Sequence, residues 1–210
     1  MVFKALQGTA TANEQPSSLL TRLTHWGTVA SFALLFGTGA TLYDHRPRYR
    51  IGSHTVTLPQ IPSWLTISAS PKLVHYVFAG TFVLCGIFYF AWAFRRDYFK
   101  DLVITRADAA NLIPMQMYYF GLRKEAPSYG RYNPLQKLGY TLVLFVVSPL
   151  IVLSGVAMLP IPIFHPIGAL FVGGVKLWHV VLMTILSVFV LGHIGMVLST
   201  GFVKNMRRMI

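Results

Sequence analysis

The sequence predicts an all-α membrane protein, a bundle of four transmembrane helices. Three observations carry that expectation. Only 11% of the 210 residues are charged and 54% are hydrophobic, where a soluble domain carries about 25% charged residues. Four apolar segments approach or exceed the about 20 residues a helix needs to cross a bilayer. Lys and Arg gather between those segments, as they do around membrane spans. The formal charge of +12 could suggest nucleic acid as a partner, but no soluble basic domain is there to bind one.

The first span is expected at about 25–43, "HWGTVASFALLFGTGATLY". The second, at about 73–94, ends in aromatics followed by "RRDYFK", an interfacial finish. The third, at about 135–159, contains Pro149, which should kink it. The fourth, at about 172–199, is long and apolar. The whole chain, 1–210, reads as one membrane domain. The N-terminal segment lacks the apolar region of a secretory signal, so insertion through the chain's own spans is expected.

Charge sets the orientation. Eight Lys and Arg lie between spans two and three and five near the termini, against five in the two other connections. Basic residues favour the cytoplasm. Both termini and the segment 95–134 are therefore expected inside a bacterial inner membrane, with the loop 44–72 in the periplasm. Within the inner segment, "RADAANLIPMQMYYFG" (106–121) reads as a short interfacial helix. The outer loop is long and Pro-containing, and reads as a docking surface or a plain connection.

Cys85 is the single cysteine. It rules out an intramolecular disulfide and a cluster held by four thiolates of this chain, and reads as a small core residue. Of seven histidines, His45, His54 and His165 fall in outer loops. His25, His75, His179 and His193 fall within spans, where an ionisable residue is expensive and points to function. His25 starts an outward span and His193 ends an inward one, so both belong near the cytoplasmic face. His75 and His179 belong near the outer face. Fourteen residues separate His179 from His193, about 21 Å of helix and close to four full turns, so the two share one face. Pairing by depth joins His75 with His179 and His25 with His193. Two bis-histidine haems stacked across the bilayer would use four such rings, and two axial imidazoles leave no open position for substrate. Gly37, Gly39, Gly80, Gly155, Gly192 and Gly195 would let a flat cofactor or a neighbouring helix approach. The alternatives are hydrogen bonding between helices or proton conduction. No Asp or Glu lies within a span, which weakens the proton-transport reading.

Taken with "RLTHWGTVASFALLFGTG", "PKLVHYVFAG" and "WHVVLMTILSVFVLGHIG", the chain resembles, over about residues 18–203, the di-haem cytochrome b subunits of bacterial respiratory enzymes. These include formate dehydrogenase gamma subunits, nickel–iron hydrogenase cytochrome b subunits and thiosulfate reductase cytochrome b. The resemblance implies two b haems with axial ligands His25, His75, His179 and His193. A further stretch, "GRYNPLQKLGYTLVLFVVSPLIVLSG", is similar to the quinone-pocket segment of the formate dehydrogenase relatives. It implies that Asn133 and Gln136 contact a membrane quinone, and an amide donor suits a quinone carbonyl. The resemblance also implies a periplasmic oxidoreductase partner, a molybdenum enzyme or a nickel–iron hydrogenase, with an iron–sulfur subunit as the electrical link. A stand-alone quinol-oxidising cytochrome b and a non-redox transporter are the other readings.

Overall fold

The computed structural model describes residues 18–43, 48–51, 53–57, 61–199 and 201–210. The N-terminal segment with Lys4, and His45 with Arg46, lie outside the described residues. The first long helix, α1, spans Leu19–Leu42. A two-stranded antiparallel hairpin follows, β1 (Arg48–Ile51) and β2 (His54–Thr57), with Arg48 opposite Thr57 and Ile51 opposite His54. Helix α2 spans Pro71–Arg95. Three short helices come next: α3 (Phe99–Leu102), α4 (Arg106–Ala110) and α5 (Leu112–Tyr119). Helix α6 (Pro134–Leu142) runs through a π-helical turn, Val143–Val147, into α7 (Ser148–Ala157). A 3₁₀ segment, Pro162–Leu170, leads to α8 (Val175–Ser199), and α9 (Phe202–Met209) ends the chain.

Three of these helices are long and apolar enough to cross a membrane: α2, the continuous α6–α7 and α8. Large apolar side chains stand exposed along them, among them Leu84, Ile87, Phe88, Val188 and Leu191, as lipid-facing surfaces do. Helix α1 has the length, 24 residues, but Thr24, Ser31, Thr38 and three glycines make it less apolar than the other three.

The ends of the helices have local causes. Gly173 (φ 83°) and Gly174 (φ 113°) are left-handed, so α8 begins at Val175 rather than at the expected 172. Asp97 (φ 52°) ends α2 in a left-handed cap. Its N–H reaches Phe94 O and that of Tyr98 reaches Ala93 O, which satisfies two of the orphan carbonyls every helix end leaves. Gly121 closes α5 in the same way, with Leu122 N–H on Met117 O. The expected kink at Pro149 takes the form of the π turn just before it. Proline has no N–H to give the carbonyl four residues back, and in the π register Ser148 N–H bonds Val143 O instead.

The contacts divide the described chain into two compact units. One joins Leu19–Ala91 to Pro149–Thr184, and the other joins Trp92–Ser148 to Ile185–Ile210. In the first, Gly27 admits Cys85: a Cβ at 27 would lie 2.7 Å from the thiol sulfur. Cys85 thus packs against α1 but is half-buried rather than in the core expected for it. The segment between β2 and α2 docks on α1 at Gly37, whose carbonyl accepts from Ile67 N–H at 2.9 Å. The Thr41 hydroxyl donates to Ile67 O at 2.7 Å. In the second unit, Leu102 and Met115 are almost fully buried beneath α6. Ile104 N–H donates to Thr141 Oγ1 at 2.9 Å, and Lys137 Nζ donates to Asp108 Oδ2 at 3.0 Å. The expected interfacial helix at 106–121 is in fact two, α4 and α5, separated at Asn111.

Candidate functional site

Within the first unit, His75 from α2 and His179 from α8 meet. Their ring centroids are 6.4 Å apart and the planes are inclined by 58°. Each ring rests on a hydroxyl from a further helix. His75 Nδ1 lies 3.0 Å from Thr38 Oγ1 on α1. His179 Nδ1 lies 2.7 Å from Ser154 Oγ on α7. Thr38 and Ser154 are fully buried.

Each hydroxyl also reaches a carbonyl of its own helix, Thr38 to Leu34 O at 2.6 Å and Ser154 to Ile151 O at 2.8 Å. A hydroxyl has one proton. In the tautomer with the proton on Nδ1, both hydroxyls accept from the imidazoles and keep their own protons on those carbonyls, and the Nε2 lone pair of each ring is left for a metal. A glycine follows each hydroxyl in sequence. An ideal Cβ at Gly39 would sit 3.5 Å from His75 Cε1, and one at Gly155 would sit 3.5 Å from His179 Cε1.

These residues fit a haem iron. A metal bound by two imidazoles lies about 2 Å from each ligating nitrogen, which sets the ring centroids about 6 Å apart. Metal-ligating histidines characteristically donate their second N–H to a fixed acceptor, as both do here. The structure brings His75 and His179 together from distant parts of the sequence, and brings Thr38 and Ser154 with them. Neither hydroxyl was singled out from the sequence. The signal in it is a hydroxyl directly before a glycine, "TG" and "SG", in a helix at the depth of a histidine.

His25 and His193 lie in different units and are described separately. His25 is half-buried on α1 and meets Trp26 edge-on at 5.5 Å. His193 is exposed on α8, with its ring nearly parallel to that of Phe189, 16° between planes and 6.1 Å between centroids. Gly139 on α6 faces Phe189, whose ring would come 3.2 Å from a Cβ there.

Asn133 and Gln136 form a capping box at the start of α6. Asn133 Oδ1 accepts from Gln136 N–H at 2.9 Å, and Gln136 Oε1 accepts from Asn133 N–H at 3.0 Å. Asn133 Nδ2 also donates to the Tyr119 hydroxyl at 3.0 Å. Burial pushes the Tyr119 phenol above its ordinary value, with Tyr129 and Tyr118 adding to the shift and the Asn133 bond opposing it.

The model of the prokaryotic cytochrome b561 family matches residues 17–210. A probable nickel–iron hydrogenase B-type cytochrome subunit from Cupriavidus necator is 29% identical over 142 residues, 65% of this chain and 54% of that one. The chain thus spans about half the length of that relative. No solved structure matches.

Proposed function

We propose that this chain, which belongs to the prokaryotic cytochrome b561 family, is a membrane electron-transfer subunit with two b haems. Family membership implies haem b, and the three apolar helices make the chain a multi-pass membrane protein. The observation that carries the finer reading is the His75–His179 pair on its two hydroxyl supports. Haem b held by His75 and His179 would supply one-electron chemistry rather than oxygen activation.

The residues then have separate tasks. His75 and His179 hold the outer iron. His25 and His193 hold an inner one, a pairing that rests on helix spacing and on depth. Helix α1 crosses the membrane as a fourth span, because it carries His25 at one end and the Thr38 support at the other. Ile67, docked beside Thr38 at Gly37, keeps water from the outer support. Asn133 and Gln136 line the quinone site, Asn133 through its second amide N–H and Gln136 by holding Asn133 in place. The partner is a periplasmic redox enzyme that exchanges electrons with the outer site. A nickel–iron hydrogenase is supported by the name of the Cupriavidus necator relative, and a molybdenum enzyme is the other candidate. An iron–sulfur subunit would make the contact. The chain sits in the bacterial inner membrane with both termini in the cytoplasm.

Optical spectra of purified variants test this assignment. His75→Ala and His179→Ala should each remove the same half of the reduced b-type absorbance, and His25→Ala and His193→Ala the other half. Loss of a common haem in His25→Ala and His179→Ala would refute the pairing. Full haem content in all four variants would refute the ligand set.

A further inference from the structure

We infer that Thr38 and Ser154 are positioning residues that set the reduction potential of the site between His75 and His179, an inference that rests on the haem reading above. The two supports are alike although they come from different helices. Each is a fully buried hydroxyl that accepts from an imidazole Nδ1 and donates to a carbonyl of its own helix. The result in both cases is a chain from N–H to O–H to O=C.

Burial favours the arrangement. No solvent reaches either oxygen, so no water competes for the imidazole proton, and at His179 the Ile151 carbonyl is the one further acceptor beside Ser154. With its proton on a backbone carbonyl, each hydroxyl is set to accept from the Nδ1–H of its ring. That commitment also strengthens the oxygen as an acceptor, since hydrogen bonds in a chain polarise one another.

The electronic consequence has a definite sign. Drawing on the Nδ1 proton makes the imidazole a more basic ligand, and a more basic ligand favours the oxidised iron. Both hydroxyls therefore hold the potential down. As neutral acceptors they do so less than a carboxylate would. They also act on one and the same iron, because their two rings form one pair.

The test uses the purified full chain with its haems, titrated potentiometrically while each b-type band is followed. Thr38→Val keeps the side-chain volume and removes the acceptor. Ser154→Ala removes the other. Each should raise the midpoint of the same single haem and leave the second haem unmoved. The expected size is a threefold to tenfold change in reduced over oxidised iron at a fixed applied potential, about 30 to 60 mV by the one-electron relation. Thr38→Ser and Ser154→Thr, which keep the hydroxyl, should titrate like the parent. Unchanged midpoints in both acceptor-less variants overturn the inference. So does a shift of two different haems, or a Thr38→Ser shift as large as that of Thr38→Val. The underlying haem assignment fails by a different result, retention of full haem content in His75→Ala and His179→Ala.

Discussion

Gly37 is more constrained than either glycine beside the histidines. A Cβ at 37 would lie 2.6 Å from Ile67 Cδ1 and 2.7 Å from Ile67 Cγ1. One at Gly39 or Gly155 would make ordinary contact, 3.5 Å from a ring carbon. Gly37→Ala should therefore push Ile67 and its loop off α1, at a cost of about 1–3 kcal/mol. Gly155→Ala should be much milder. Thermal unfolding of the two variants, read by circular dichroism, compares them directly, and equal losses would show that Ile67 yields freely. The same residues mark what the sequence discloses. The His75–His179 contact was legible because an ionisable ring is costly in an apolar span and points to a partner. Thr38 and Ser154 were not. A hydroxyl in a helix ordinarily bonds a carbonyl one turn back, as both of these do, and the glycine that follows each is a weak sign beside so common a bond. The grouping of His75 with His179 could be anticipated from depth alone, but the hydroxyl beneath each ring could not.

Helix starts were more legible than loops. Asn133 followed by Pro134 announced a helix N-terminus, and the capping box with Gln136 is there. Its completeness separates two roles that one substitution would confuse. Asn133→Ala removes the cap and the Tyr119 bond together, and should cost about 1–2 kcal/mol. Asn133→Ser keeps a capping oxygen and loses the amide donor with its Tyr119 bond. If Asn133 serves a quinone, Asn133→Ser should keep the parent's unfolding temperature within a few degrees and still lose quinone turnover. Parent-like turnover would assign the residue to capping alone. The hairpin β1–β2 was missed, because the outer loop was read for its polarity and prolines rather than for "RIGSHT", a strand-turn-strand pattern. Helix α4 carries a pH dependence of its own. Burial raises the Asp108 carboxyl, but its bonds from Thr105 and from Lys137 outweigh that, and its pKa lies below the ordinary 3.8. A depressed carboxylate stabilises the fold above its unfolded pKa, and that stabilisation is lost as pH falls through the folded one. The amide-exchange protection factors of residues 105–110, corrected for the intrinsic pH dependence of exchange, should thus hold steady down to about pH 4 and fall below it. In Asp108→Asn that acid step should vanish.

At the scale of the whole molecule the open matter is how many times the chain crosses the bilayer, and in which direction. Three helices qualify by length and apolar content. The case for α1 is functional, since its Thr38 supports His75 on a membrane helix, and burying that contact in the bilayer requires α1 to be there too. The direction rests on charge, with thirteen of eighteen Lys and Arg assigned to one side. Each such residue costs several kcal/mol to draw through the bilayer, so the bias is large in sum. Single cysteines placed in a Cys85→Ala background test both points at once. Ser18, Ser63 and Glu125 are exposed positions on three successive connections. In intact cells whose outer membrane is permeable to the reagent, a maleimide that cannot cross the inner membrane should label Ser63→Cys. Ser18→Cys and Glu125→Cys should react only after lysis. Labelling of Ser18→Cys together with Ser63→Cys would mean that α1 does not cross, and the inner haem would then lose its His25 ligand. Labelling of Ser18→Cys and Glu125→Cys without Ser63→Cys would turn the whole bundle over and put the His75–His179 site on the cytoplasmic side. A periplasmic partner would then have no route to it, and the enzyme supplying or taking the electrons would have to be sought in the cytoplasm.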